Sequence, residues 1–254
     1  MSLIDAHCHL GTRQFDNNRD EILSRMKEKH VDKVIMICCS EHDLNHALNL
    51  KKTHPDFRLA MGIHPQSIGF SDEPVRYEKF RELVLKYKPD MIGEIGLDYH
   101  SHKHTRELQK ELFVRQMQLA QELNLPVDIH MRRASNDTYE ILKQFNVKGI
   151  MHSYSGSREM AERFLKLGYY ISICSSVLFE NAVKPREVIE AVPVNRLLIE
   201  TDAPYQSPVL NHVHEPGDVT NIYKAIAEIK KLPMIQLEQA VEANFDGVFL
   251  HNSI

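Results

Sequence analysis

Six side chains of metal-ligating type stand at or near the downstream ends of short apolar runs: His7, His9, Glu94, His130, His152 and Asp202. Imidazole nitrogens and carboxylate oxygens bind divalent cations that activate water, so this set points to metal-assisted hydrolysis. In Ile4-Asp5-Ala6-His7-Cys8-His9 one residue separates the two histidines. Alternation along a strand puts His7 and His9 on one face and Cys8 on the other. Asp5 shares the histidine face one layer deeper, where its carboxylate can brace a ligand. Glu94 lies inside Met91-Ile92-Gly93-Glu94-Ile95-Gly96. A carboxylate in an apolar strand needs a cation or hydrogen-bond donors to offset its burial. The flanking Gly93 and Gly96 leave room close to the backbone. His130 follows Pro126-Val127-Asp128-Ile129, His152 follows Gly149-Ile150-Met151, and Asp202 ends Leu197-Leu198-Ile199-Glu200-Thr201. Four imidazoles and two carboxylates exceed the needs of one tetrahedral ion with an open position. They suit two divalent ions, with Glu94 as the bridge because its strand lies between those of the other ligands. Such a mixed N/O set admits Zn²⁺, Mn²⁺, Mg²⁺, Co²⁺ or Ni²⁺ without choosing among them.

Those positions form one site only if the elements carrying them end together. Eight short apolar segments read as strands: Leu3–Asp5, Lys33–Cys38, Arg58–Ile63, Met91–Ile95, Leu125–Ile129, Gly149–Met151, Tyr169–Cys174 and Arg196–Thr201. Helical periodicity occupies the stretches between them. It is carried by Ile22, Leu23 and Met26 in Asn18–His30, by Leu108, Leu112, Met117, Leu119 and Leu123 in Thr105–Leu123, and by Met160, Phe164 and Leu167 in Arg158–Leu167. Further helices are expected over Val219–Lys230 and Ile235–Leu250. Apolar strands recurring roughly every 20–35 residues indicate βαβ units and a parallel sheet covered on its faces. No GxGxxG follows any of them, which disfavours a doubly wound nucleotide-binding sheet. The expectation is an α/β chain folded as one single-domain (β/α)8 TIM barrel over residues 1–254, with its strand ends sharing one mouth.

No Gly/Ser/Pro-rich linker or low-complexity tract divides the chain. With 31 Lys+Arg against 35 Asp+Glu, the formal net charge is −4. The basic excess of proteins that hold duplex DNA by phosphate neutralisation is therefore missing. A strand end entering a small metal site remains compatible, because cations there add charge outside the residue count. No apolar signal region follows Met1 and no run approaches a membrane span, so no membrane partner is expected. Cys8, Cys38, Cys39 and Cys174 show no CxxC spacing and read as reduced thiols of a cytoplasmic protein.

Six motifs follow one another along the chain. They are Asp5-Ala6-His7-Cys8-His9-Leu10, Gly62-Ile63-His64-Pro65, Gly93-Glu94-Ile95-Gly96-Leu97-Asp98-Tyr99, Pro126-Val127-Asp128-Ile129-His130-Met131-Arg132, His152-Ser153-Tyr154-Ser155-Gly156 and Glu200-Thr201-Asp202-Ala203-Pro204-Tyr205. Together they resemble the ordered signature of the TatD family, TIM-barrel metal-dependent deoxyribonucleases within the broader amidohydrolase group. The resemblance extends from residue 5 to Phe249, where Asn244-Phe245-Asp246-Gly247-Val248-Phe249 is similar to the family's closing segment.

The resemblance implies that His7, His9, Glu94 and Asp202 hold one cation and that Glu94, His130 and His152 hold the other. It implies that His64 and Arg132 contact the scissile phosphate, and that DNA, as single strands or strand ends, is the substrate. On this reading Asp202 doubles as proton acceptor, and Tyr99 and Tyr205, just beyond ligand strands, can stack on a nucleobase. A monomer is expected. Small phosphoesters, amides and lactones form the alternative substrate class, because fold does not fix substrate. Glu94 stands where many amidohydrolases carry a carbamylated lysine, and no lysine lies on that strand. Asn211-His212-Val213-His214-Glu215-Pro216 departs from the family's Arg-Asn-Glu-Pro, and Gln206 occupies a position where an apolar residue is common. His100-Ser101-His102-Lys103-His104 reads as a solvated loop, or else as a lip over the site.

Overall fold

The computed structural model describes residues 2–69, 73–101 and 105–250. Of the histidine-rich loop, residues 102–104 fall outside the described residues. The eight strands are β1 Leu3–Cys8, β2 Val31–Cys38, β3 Arg58–Met61, β4 Met91–Asp98, β5 Val127–Arg132, β6 Gly149–Met151, β7 Tyr170–Ile173 and β8 Leu197–Ile199. Helices α1 Arg19–Glu28, α2 Glu41–Thr53, α3 Glu73–Tyr87, α4 Arg106–Glu122, α5 Ser135–Leu142, α6 Arg158–Lys166 and α7 Val183–Ala191 connect successive strands, and α8 Val219–Lys230 and α9 Met234–Phe249 follow the last. Every neighbouring pair is parallel and the spatial order equals the chain order, β1 to β8. This is the expected (β/α)8 barrel.

The seam between β8 and β1 closes beside His7, His9 and Asp202: the Asp202 N–H donates to the His7 carbonyl (3.0 Å) and the His9 N–H to the Ala203 carbonyl (2.7 Å). One layer deeper, the Asp5 carboxylate accepts the Thr201 N–H at 2.9 Å and the Thr201 hydroxyl at 2.5 Å. On the outside, the Tyr223 hydroxyl on α8 bridges the Ile4 N–H and carbonyl at 3.3 and 3.2 Å. The Asn244 amide on α9 caps the Val194 and Leu197 carbonyls, each at 2.8 Å. A seam of this kind satisfies backbone groups that would otherwise be buried without partners.

Two strands run past their apolar segments. β1 continues from the expected Asp5 to Cys8, and β4 from the expected Ile95 to Asp98. Their polar side chains are buried yet partnered, so polarity does not end the strand as it would at a solvated edge. At β3, β7 and β8 the expected strands are trimmed by one or two residues at one or both ends. β5 is shifted to end at Arg132. Around the barrel, Phe113, Met117, Phe164 and Phe245 bury the inner faces of α4, α6 and α9 against the sheet.

Gly96 marks where β4 and β5 approach most tightly. Its φ is +141°, and a Cβ there would lie 2.1 Å from the His130 carbonyl oxygen. Gly96→Ala is therefore expected to destabilise the fold by about 1–3 kcal/mol through backbone strain and overpacking. Urea unfolding with an unchanged midpoint would contradict this account of the β4–β5 contact.

Candidate metal centre

The strand ends bring the six expected ligands into one buried cluster. His7 Nε2 lies 3.4 Å from His9 Nε2, 3.4 Å from Asp202 Oδ1 and 3.7 Å from Glu94 Oε2. His9 Nε2 is 3.4 Å from Asp202 Oδ1 and 3.9 Å from Glu94 Oε2. The second oxygen of Glu94 turns the other way. Its Oε1 lies 2.6 Å from His130 Nδ1, 3.2 Å from His64 Nε2 and 3.6 Å from His152 Nε2. Two donor groups thus meet at one carboxylate. The rings of His7 and His152, 3.5 Å apart and nearly parallel, pack the groups together.

Carboxylates behind the imidazoles set which nitrogen faces inward. Asp128 Oδ2 accepts from His7 Nδ1 at 2.8 Å, and Glu200 Oε1 lies 2.7 Å from His152 Nδ1. Asp98 Oδ2 lies 3.3 Å from His130 Nε2 and is steadied by the Gln66 amide at 2.6 Å. With one ring nitrogen held by a backing carboxylate, the inward nitrogen is the one a cation would take, by displacing the proton shared there with Glu94 or Asp202 in the metal-free cluster. His64 is arranged in the opposite sense. Its Nδ1 accepts the Gln66 N–H at 3.1 Å, so in the neutral ring Nε2 carries the proton and donates to Glu94. His64 is a hydrogen-bond donor in this arrangement.

Asp5 does not brace an imidazole as expected. Its oxygens are committed to Thr201 and the His7 N–H, and Asp128, Glu200 and Asp98 take that role. The alternation signal for two of them is in the sequence. Asp128 precedes His130 by two residues and Glu200 precedes Asp202 by two, each on the ligand's face and deeper. What alternation does not give is the partner. Asp128 on β5 serves His7 on β1, and Glu200 after β8 serves His152 after β6, because alternate strands share a layer of the interior.

Every ion-pair partner of Glu94 and of Asp202 among the described residues is an imidazole. Burial opposes ionisation of Glu94, but the facing His64, His152 and His130 outweigh it and hold the carboxyl well below its usual range. Asp202 behaves likewise, with burial overcome by hydrogen bonds from His7 and His9. For His152 burial disfavours the proton, yet the Glu200 and Glu94 carboxylates raise it to about 9. Buried carboxylates with N and O donors converging, and no lysine or arginine paired to them, fit divalent cations. A second kind of cluster, Asp16, His42 and His46, sits outside the mouth. There the Arg19 guanidinium already provides the positive charge, 2.8 Å from Asp16 Oδ1 and 3.1 Å from His46 Nδ1.

A cavity of about 770 Å³ opens above the cluster, lined among others by His64, Arg132, Tyr205 and Gln206. Arg132 is exposed at the end of β5 and has no ion-pair partner among the described residues. Tyr99 lies apart from the expectation. It is buried, its hydroxyl donates to Asp137 at 2.7 Å, and Arg106 covers its ring at 4.3 Å, so no face is open to a base. Tyr205 is the aromatic side chain at the rim, 47% exposed and edge-on to His9. In the departing segment, His214 is buried beneath the Tyr205 carbonyl and Glu215 pairs with Arg25 of α1 at 2.8 Å.

The family model described as TatD related DNase matches residues 4–250. The uncharacterized metal-dependent hydrolase YabD of Bacillus subtilis is 35% identical over 98% of this chain and 100% of its own length. The uncharacterized metal-dependent hydrolase YcfH of Escherichia coli K12 is 32% identical over 98% of this chain and 96% of its own. Among solved structures, the TatD homologue YJJV of Escherichia coli K12 superposes with a TM-score of 0.89 at 29% identity, covering 97% of each chain. The chain belongs to the TatD family of metal-dependent hydrolases.

Two outcomes follow from the backing carboxylates. Asp128→Asn is expected to lower divalent-metal affinity about 10- to 100-fold while the barrel stays folded; titration with Zn²⁺ or Mn²⁺ checks this, and unaltered affinity would remove the role given to Asp128. The second concerns protons. His152 holds its proton to about pH 9 in the metal-free fold, above the ordinary value of about 6.5. That proton stabilises the metal-free fold fully below about 6.5, and its contribution is lost as pH rises through the folded value. A cation must displace it, so metal affinity is expected to rise with pH across this window, with net proton release near neutral pH. Calorimetry in buffers of different ionisation enthalpy measures the release; an absence of released protons would sink the expectation.

Proposed function

We propose that this chain hydrolyses phosphodiester bonds in DNA at strand ends or in single strands, using two divalent cations. His7, His9, Asp202 and Glu94 would hold one, and Glu94, His130 and His152 the other. The observation that carries the reading is the division of Glu94, with Oε2 toward His7 and His9 and Oε1 toward His130 and His152. Zn²⁺, Mn²⁺ and Mg²⁺ all suit these donors. When bound, the ions polarise a phosphoryl oxygen and make the attacking water more acidic.

The residues around that point have separable tasks. Asp202, ionised beside His7 and His9 at the end of the last strand, would accept the proton of the attacking water. His64, whose Nε2–H donates to Glu94 in the metal-free fold, would turn that N–H to a nonbridging phosphate oxygen once cations take the carboxylate. Arg132, exposed at the end of β5 and without an ion-pair partner among the described residues, can take phosphate oxygens with its planar fork. Tyr205 presents a half-exposed ring beside His9 for an unstacked base. The volume of about 770 Å³ is that of a small-ligand site and accepts a nucleotide or frayed end more readily than the interior of a duplex. The DNase wording of the matching family model supports the same substrate. Cytoplasmic placement is part of the proposal, supported by four unpaired cysteines. Among the described residues no helix is long and apolar enough to cross a membrane.

Asp202→Asn should retain the fold and most bound metal yet lose at least about 100-fold in rate, the scale of general-base catalysis. Turnover near that of the unaltered protein would eliminate Asp202 as proton acceptor. Parallel assays on single-stranded DNA, blunt duplex, bis(p-nitrophenyl) phosphate and a simple amide test the substrate. Activity confined to the small phosphoester or the amide would replace the deoxyribonuclease reading with the small-substrate one.

A further inference from the structure

Asp202 uses its two oxygens differently. Oδ1 faces His7 and His9, with both Nε2 atoms 3.4 Å away. Oδ2 lies 4.0 Å from His152 Nε2 and is bonded from the loop beyond β8, where the Gln206 amide donates to it at 2.5 Å. The Gln206 side chain is itself held, its Nε2 and Oε1 lying 3.0 and 3.2 Å from the Ser153 hydroxyl. Its backbone carbonyl accepts from the Ser175 hydroxyl. One glutamine therefore ties together the segments that follow β6, β7 and β8. Asp202 and Gln206 both sit in the left-handed region, with φ of +58° and +52°, and Ser153 joins them at +41°. Residues without glycine's freedom hold such a conformation when their surroundings dictate it.

We propose that Gln206 is a positioning residue: by holding Asp202 Oδ2 it commits Oδ1 to the His7–His9 side and so fixes how that side takes up a cation. An amide suits the task because it donates to the carboxylate while carrying no charge of its own. A leucine or methionine here leaves Oδ2 without this donor and lets the carboxylate rotate or turn both oxygens toward the ion. A glutamate would repel it. The inference rests on the metal reading of the cluster and is independent of the substrate, so an inactive deoxyribonuclease assay would leave it standing.

The test is Co²⁺ titration of the metal-free full-length chain, followed by visible absorption, for the unaltered protein, Gln206→Met and Ser153→Ala. Gln206→Met keeps length and removes the donor. It is expected to weaken Co²⁺ binding about 10-fold, the scale of outer hydrogen-bond partners of metal ligands, and to change the absorption bands of the bound ion. Ser153→Ala, which only loosens the glutamine, is expected to give a smaller change in the same direction. Thermal unfolding of the metal-free proteins is read alongside. A lowered melting temperature with unchanged Co²⁺ affinity and spectrum would reduce Gln206 to a loop anchor and overturn the inference. No Co²⁺ uptake by the unaltered protein would overturn it together with the metal reading, whereas normal uptake there and in Gln206→Met would overturn it alone.

Discussion

A carboxylate sealed inside a barrel with only imidazoles for company sets the terms for everything around it. Glu94 is 3% exposed and lies within ion-pair distance of His7, His9, His64, His130 and His152. Its desolvation costs several kcal/mol unless positive charge stands close by. Neutral imidazoles do not supply that charge; protonated ones or divalent cations do. The imidazoles are held for the task by a further ring of buried carboxylates, which in turn need donors. Polar partnership therefore propagates outward from Glu94, through His7 to Asp128, through His152 to Glu200, and through His130 to Asp98 and Gln66.

The barrel is built to tolerate this. Closure of the seam at His7, His9, Asp202 and Ala203 uses backbone hydrogen bonds of the ligand residues themselves. A displacement of β8 along β1 would thus disturb coordination and sheet pairing together. Gly93 makes the same point on the other side. A Cβ there would stand 2.5 Å from Asp128 Cβ, so the small residue beside Glu94 makes room for the acid that orients His7. Folding and site assembly are one packing problem at this end of the barrel.

The parallel strands and helical connections were legible in the apolar segments, because fully covered strands are apolar throughout while the helices keep a 3.6-residue stripe. The residues of the candidate metal centre were legible as polar residues where apolar segments stop. Less legible were the residues whose meaning depends on a distant partner. Asp128, Glu200 and Asp98 look alike in sequence to a solvated strand-end acid, and only the layering of alternate strands reveals which imidazole each one holds. Tyr99 illustrates the converse. Its place after a ligand strand suggests the mouth, but the hydrogen bond to Asp137 and the stacked Arg106 draw the ring into the wall. Tyr205, after β8, stays at the rim, where its N–H closes a turn onto the Asp202 carbonyl at 2.8 Å and its ring is 47% exposed.

The histidines carry the most general lesson. His7, His130, His152 and His64 all point a nitrogen at Glu94, yet they are not chemically equivalent. For the first three the far nitrogen faces a carboxylate, so a cation can take the near nitrogen by displacing its proton while the far N–H stays bonded. For His64 the far nitrogen accepts a backbone N–H from Gln66, which drives the proton inward. Ligand or donor is thus decided on the side of the ring away from the chemistry. Glu94 Oε1 thus receives a proton-bearing nitrogen from His64 while it faces His130 and His152 on the same side of the cluster.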